Sequence, residues 1–177
     1  GLASFKRNGK WGYVDSKGQV AIEAQFGYAG TFQGGVAGFT TVDDDEFGKW
    51  GVINKRGNKI LPMIFPWFKS CKNGFCIVRG ENNKDGFASL KGNWITKPEY
   101  DNAYQFHEGL AAVNQGELWG FINEKGELVI NYQYEQVIAF PNDPFNGGFS
   151  GGIAKVQSDG TQFFIDKSGN CVLGCLE

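Results

Sequence analysis

Three groups of residues in this chain have side chains that do chemistry. The first is the run DDDE at Asp43–Glu46, a concentration of carboxylates of the kind that chelates calcium or supplies acid/base catalysis to a glycosidase. It lacks the alternating oxygen ligands and the glycine of a calcium loop. Adjacent acids on one loop are also not opposed across a cleft, as glycoside hydrolysis requires. A solvated loop is the expectation.

The second group is Cys71, Cys76, Cys171 and Cys175, with the lone His107. One His and this cysteine spacing do not make a zinc site. Three of the four cysteines fall where related segments carry apolar residues, so they read as small buried hydrophobes. Bridges Cys71–Cys76 and Cys171–Cys175 are the open alternative. No nucleophile–base pair or phosphate-cradling loop is present, and neither a catalytic residue, a metal nor a cofactor is expected.

The third group is aromatic. Trp11, Trp50 and Trp119 stand before Gly12, Gly51 and Gly120, and Trp67 lies in the stretch FPWFK. Phe140, Phe145 and Phe149 sit in FPNDPFNGGFSGG, from Phe140 to Gly152. The Trp-Gly pairs make either an aromatic platform for sugars or peptides, or a packing seam in which glycine admits a neighbouring backbone. The seam is the expectation. Phe140, Phe145 and Phe149 are candidate binding residues, because loops that depart from a scaffold's pattern carry binding, and Trp67, expected to be exposed, is the second candidate.

What positions these residues is a repeat. ELWGFINEKGELVI, from Glu117, has near-copies in GKWGYVDSKGQVAI from Gly9 and GKWGVINKRGNKIL from Gly48. Aligning the turn glycines Gly18, Gly57, Gly92, Gly126 and Gly169 gives spacings of 39, 35, 34 and 43 residues. Such periods indicate solenoids, propellers or arrays. The turns DSKG, NKRG, SLKG, NEKG and DKSG place Asp, Asn or Ser first and Gly fourth, the chemistry of a type I turn closed by a glycine bulge. A further strand, such as GLAAV from Gly109, precedes each Trp position. The predicted unit is a three-stranded antiparallel meander, five in tandem over 1–34, 35–73, 74–108, 109–151 and 152–177, in one domain spanning 1–177.

The pattern KWG[YVF][VI][DN]xxG with its aromatic connector resembles the WG-containing repeat, a family widespread in bacterial proteins. Trp11, Trp50 and Trp119 match it well, whereas Asp85-Gly86 and Gln162-Phe163 replace the pair in the other two units. The resemblance implies a β-rich repeat that mediates binding, with an envelope or extracellular setting, and brings no catalytic motif. Because the first unit is close to consensus rather than cap-like, a propeller-like ring is favoured, with an open twisted β-solenoid as the alternative.

A net charge of -2 provides no basic face, which excludes nucleic acid as the expected partner. The most apolar run, Ile60–Phe68, is broken by Pro62 and Pro66 and is too short to span a bilayer. The start GLASF lacks Met, so a removed leader remains open. A non-catalytic scaffold that binds another protein is therefore expected first. A carbohydrate-binding module comes second and a glycosidase-like enzyme third.

Overall fold

In the computed structural model, residues 1–41, 49–91, 93–140 and 143–175 are described, without side chains at positions 63, 64, 140 and 143–146. DDDE and the turn glycine Gly92 lie outside the described residues. The architecture is all-β and antiparallel. It divides into two compact units, Gly1–Asn82 with Ala88–Trp94, and Asn83–Phe87 with Ile95–Glu177.

The first unit begins with β1 (Ala3–Arg7), β2 (Lys10–Val14) and β3 (Val20–Phe26), a sheet of order β1-β2-β3. Next come β4 (Tyr28–Ala29), β5 (Val36–Thr40), β6 (Trp50–Asn54) and β7 (Lys59–Phe65), a sheet of order β4-β5-β6-β7. The hairpin of β8 (Trp67–Lys72) and β9 (Phe75–Arg79) follows. The division between units passes through β10 (Asp85–Ser89) and β11 (Trp94–Tyr100).

In the second unit, β12 (Asn102–Ala103), β13 (Leu110–Gln115), β14 (Leu118–Asn123) and β15 (Leu128–Tyr134) form one sheet in chain order. Another runs β16-β19-β20-β21, with β16 at Gln136–Val137, β19 at Ile153–Ser158, β20 at Thr161–Asp166 and β21 at Cys171–Leu173. Between them the FPNDPF insertion carries a separate hairpin, β17 (Ala139–Phe140) and β18 (Asp143–Gly147). The expected three-stranded meander is thus incomplete. The connector contributes a short fourth edge strand, β4, β12 or β16, because its backbone donors and acceptors pair with the next sheet rather than with water.

The turns show why the motif is written as it is. The side chains of Asp15, Asn54, Asn123 and Asp166 each accept two backbone N–H groups, two and four residues on, at 2.8–3.1 Å. The fourth turn residue takes φ from 78° at Gly18 to 84° at Gly169, a region that favours glycine.

The second glycine, beside the Trp, answers a different demand. In each full meander the third strand shifts register opposite it, as between Trp11↔Phe26 and Tyr13↔Ile22. The bulged backbone presses on the glycine. A Cβ on Gly12 would lie 2.6 Å from the Ile22 carbonyl oxygen, and one on Gly120 2.7 Å from that of Ile130. Gly86 keeps the same constraint, with Lys97 and Pro98 backbone at 2.7 Å, although its Trp has become Asp85. Where Phe163 takes the glycine's place, β21 stops at Leu173 and Gly174 lies beneath the phenylalanine.

Within each unit the sheets stack face to face. Tyr13 and Ile22 of the first sheet bury against Ala37, Phe39 and Ile53 of the second. Val36, Val52 and Leu61 of the second bury against Cys71, Cys76 and Val78. In the second unit, Leu110, Ala112, Phe121 and Ile130 meet Ala154, Val156, Phe163 and Ile165 in the same way. The turn of one sheet rests on the third strand of the sheet before it: the Gly57 turn sits on Ile22 and the Gly169 turn on Ile130.

The cysteines correct the sequence expectation of free thiols. Cys71 and Cys76 are bonded, as are Cys171 and Cys175, with Cα atoms 4.0 and 5.7 Å apart. The register places Cys71 directly opposite Cys76 across β8 and β9, so two residues that read separately as core apolars are neighbours.

Candidate functional site

The first unit holds a continuous row of ring contacts. Trp11 meets Tyr28 at 6.0 Å between centroids, Tyr28 meets Trp50 at 5.4 Å, and Trp50 meets Trp67 at 6.1 Å. Phe68 also meets Trp50, 6.4 Å away and nearly parallel. Trp50 is buried, Trp11 and Tyr28 are half-buried, and Trp67 is 51% exposed. The row therefore begins in the seam between sheets and ends in solvent.

Beside it is a cavity of about 210 Å³ lined by Tyr28, Gln33, Trp50, Phe68, Lys69 and Cys71, among others. The indole Nε1 of Trp50 is buried and has no hydrogen-bond partner among the described residues. Space for the rings comes from Gly38, whose Cα faces Phe68: a Cβ there would meet that ring at 2.5 Å. Cys71 lines the cavity, and its bridge to Cys76 ties β8, which carries Trp67 and Phe68, to β9.

Each residue singled out from the sequence now has a place. Trp67 is at the exposed end of the row. Phe149 is fully buried and packs its ring 5.0 Å from Phe121, so the structure removes it from the binding candidates. Its carbonyl lies 2.7 Å from His107 Nδ1, which accounts for the chain's one histidine. The side chains of Phe140 and Phe145 lie outside the described residues. Trp119 stacks on Tyr104 at 4.8 Å and 12°, while Asp85 and Gln162 replace the indole altogether. The indoles are thus not a repeated platform.

Sequence reading missed Tyr28 and Phe68, which face Trp50 from connector strands. Their signal was the aromatic content of the segments that follow each third strand, Tyr28 after Phe26 and Phe68 after Phe65.

In the second unit one carboxylate, Asp85, takes an indole position, and others hold turns. Asp85 is fully buried and accepts the Ala103 N–H at 3.2 Å. Asp101 accepts the Gly116 N–H at 2.8 Å and pairs with Lys84, and these contacts hold its pKa below the ordinary value. Glu108 accepts the Gly152 and Gly151 N–H groups at 3.0 and 2.7 Å, with Lys167 at 3.3 Å, and is lowered likewise. Asp101 and Glu108 hold turns and Asp85 joins two strands, so their arrangement is structural. No group of three or more His, Cys, Asp or Glu among the described residues lies close enough to hold a metal. Nor is any helix there long and apolar enough to cross a membrane.

Meander, bulge-facing glycine and seam indole together define a WG β-repeat. The family model described as WG containing repeat matches residues 11–41, 50–84, 86–119 and 119–145, and the chain belongs to that family. No curated protein matches the sequence. Among solved structures, the crystal structure of the computationally designed Ika8 protein is similar at 12% identity and a TM-score of 0.50. The alignment covers 97% of this chain and 59% of that one, so this chain spans under two thirds of the length of Ika8, and the likeness concerns fold alone.

Proposed function

We propose that this chain is a non-catalytic interaction module that recruits another protein through the aromatic surface of its first unit. The observation that carries this reading is the row from buried Trp50 to half-exposed Trp67 beside the cavity. An indole anchored on one face and wet on the other, next to a concavity, is the arrangement on which interface energy concentrates. The partner supplies an apolar side chain to the cavity and covers Trp67. The exposure of Trp94 in the same unit supports glycan binding as the second reading.

The test is affinity capture from extract of the source cell, with the wild-type chain and Trp67→Ala as parallel baits, read by mass spectrometry. A stoichiometric partner held by the wild type and lost by Trp67→Ala supports the proposal. A partner retained equally by both baits sinks it. A glycan-array signal without a captured protein moves the reading to carbohydrate.

The finer geometry of the array belongs to the same proposal. The consensus first unit argued for a ring. That ring is the favoured form and an open twisted β-solenoid the alternative. Closure predicts that deleting Gly1–Phe5 destabilises the whole domain; a deletion that merely frays one end would sink it.

A further inference from the structure

We propose that the cavity of the first unit is a binding site for one phenyl ring, the side chain of a phenylalanine carried on a partner's peptide. The proposal rests on the reading of this unit as an interaction module and names the chemistry that its cavity accepts. Its basis is a comparison of the junctions between successive sheets, which the repeat makes equivalent.

Three junctions are closed by the same pair. Phe and Ala flank each of the isolated bridges Gln33↔Val36, His107↔Leu110 and Ser150↔Ile153, as Phe32 with Ala37, Phe106 with Ala111 and Phe149 with Ala154. Each of these phenyl rings lies on a ring of the preceding sheet. Phe32 meets Tyr13 at 4.7 Å, Phe106 meets Phe87 at 4.8 Å and Phe149 meets Phe121 at 5.0 Å.

The remaining junction, between the second sheet and the β8–β9 hairpin, has neither ring. Cys71 and Cys76 stand opposite one another where Phe and Ala stand elsewhere, and Val52 replaces the aromatic residue of the preceding sheet. The cavity of about 210 Å³ is at this junction, with Val36, Gly38 and Trp50 of the second sheet and Phe68 and Cys71 of the hairpin among its lining residues. Phe68 reaches over Gly38 from a neighbouring column and leaves the space beside it open. An apolar cavity of about 150 Å³ is enough to take benzene. A void of this size costs stability, because the residues around it lose contacts. Here the Cys71–Cys76 bond holds β8 to β9 directly, so the hairpin keeps its place without the ring contact.

The ring and its carrier follow from the walls. The other junctions use Phe each time in the column of Cys71, so the space is that of an unsubstituted phenyl group. Trp50 and Phe68 offer a further ring the edge and face contacts that aromatic pairs favour. Gln33 and Lys69 also line the cavity. Polar groups in the wall suit the amides on either side of a peptide-borne ring better than a free hydrocarbon.

The experiment titrates the purified chain with N-acetyl-L-phenylalaninamide and with N-acetyl-L-leucinamide, followed by nuclear magnetic resonance. The phenylalanine probe is expected to bind with a Kd of roughly 1 mM, its ring protons giving nuclear Overhauser effects to the Val36 methyl groups. The leucine probe should bind about fivefold more weakly. Cys71→Phe with Cys76→Ala restores the pair of the other junctions and should weaken phenylalanine binding about tenfold or more. Val36→Phe fills the cavity from the second sheet with the disulfide intact and should do the same. Thermal melts verify that each variant is folded, and the wild-type titration decides the matter even where a variant is not. No contact between probe and Val36 at about 20 mM overturns the proposal. So does leucine binding as tight as phenylalanine, or binding that persists in a folded, filled chain. Failure here beside a Trp67-dependent partner removes the ring site and leaves the interaction module standing. Probe contacts at Val36 without any captured protein keep the ring site and remove the recruiting role.

Discussion

The two units solve the same packing problem with different chemistry. In the first, the seam is made of rings, Trp11, Tyr28, Trp50 and Trp67, backed by a disulfide across β8 and β9. In the second, one Trp becomes Asp85, another Gln162, and carboxylates of Asp101, Glu108 and Glu135 hold the turns by accepting backbone N–H groups. The bulge-facing glycine is kept at Gly12, Gly86 and Gly120, while the indole before it is present at Trp11 and Trp119 and absent at Asp85. The glycine is therefore the geometric requirement of the repeat, and the indole is one of several ways to fill the space beside it.

That contrast can be broken most severely at Trp50. Trp50→Ala removes three ring contacts from a buried site and should cost about 3–5 kcal/mol in the first unit. Chemical denaturation followed by indole fluorescence measures it. Gly120→Val drives a side chain into the Ile130–Tyr132 backbone, and a loss of about 3 kcal/mol is expected in the second unit, read by circular dichroism melts. If Val is tolerated there, the glycine is not a geometric requirement. Asp85→Ala removes one of the two acceptors of the Ala103 N–H, the other being Asn102 Oδ1, at about 1 kcal/mol. A Trp at this position in place of Ala tests whether ring and carboxylate are interchangeable.

Acid should separate the units. Contacts hold Asp101, Glu108 and Asp166 below their ordinary values of 3.8, 4.5 and 3.8. A depressed carboxyl pKa contributes stability that is complete above the ordinary value and is lost as pH falls through the folded value. The second unit should thus weaken first below about pH 4.5. Amide exchange at Gly116, Gly151 and Gly152 against Gly27 and Gly30 would show it, and equal acceleration in both units would refute it. The smallest stability effect is expected of Trp67→Ala, within about 0.5 kcal/mol, since half of the residue is already in water.

Much of this was legible from sequence because the turn and bulge chemistry is local. An Asp or Asn followed three positions later by Gly specifies its hairpin without reference to the rest of the chain. The repeat columns also held information that went unused. Phe149 occupies the buried column of Phe106 and Phe121's neighbours, yet the unusual loop before it made it look like a binding residue. The disulfides were hidden for a related reason. Column comparison ranks Cys71 and Cys76 as apolar, and only strand register shows that they face each other. Trp67 was named from its exposed-looking neighbourhood, but Tyr28 and Phe68 required knowing that the connector folds back as an edge strand.

The glycine turn resting on the preceding sheet has a consequence for how these units come apart. Gly57 touches Ile22 and Gly169 touches Ile130, so each link joins only adjacent repeats. The coupling is nearest-neighbour, as in a one-dimensional chain of interacting spins. Each unit should then unzip repeat by repeat, with a melting profile set by its weakest junction, and an extra repeat would add an increment of cooperativity without altering the others.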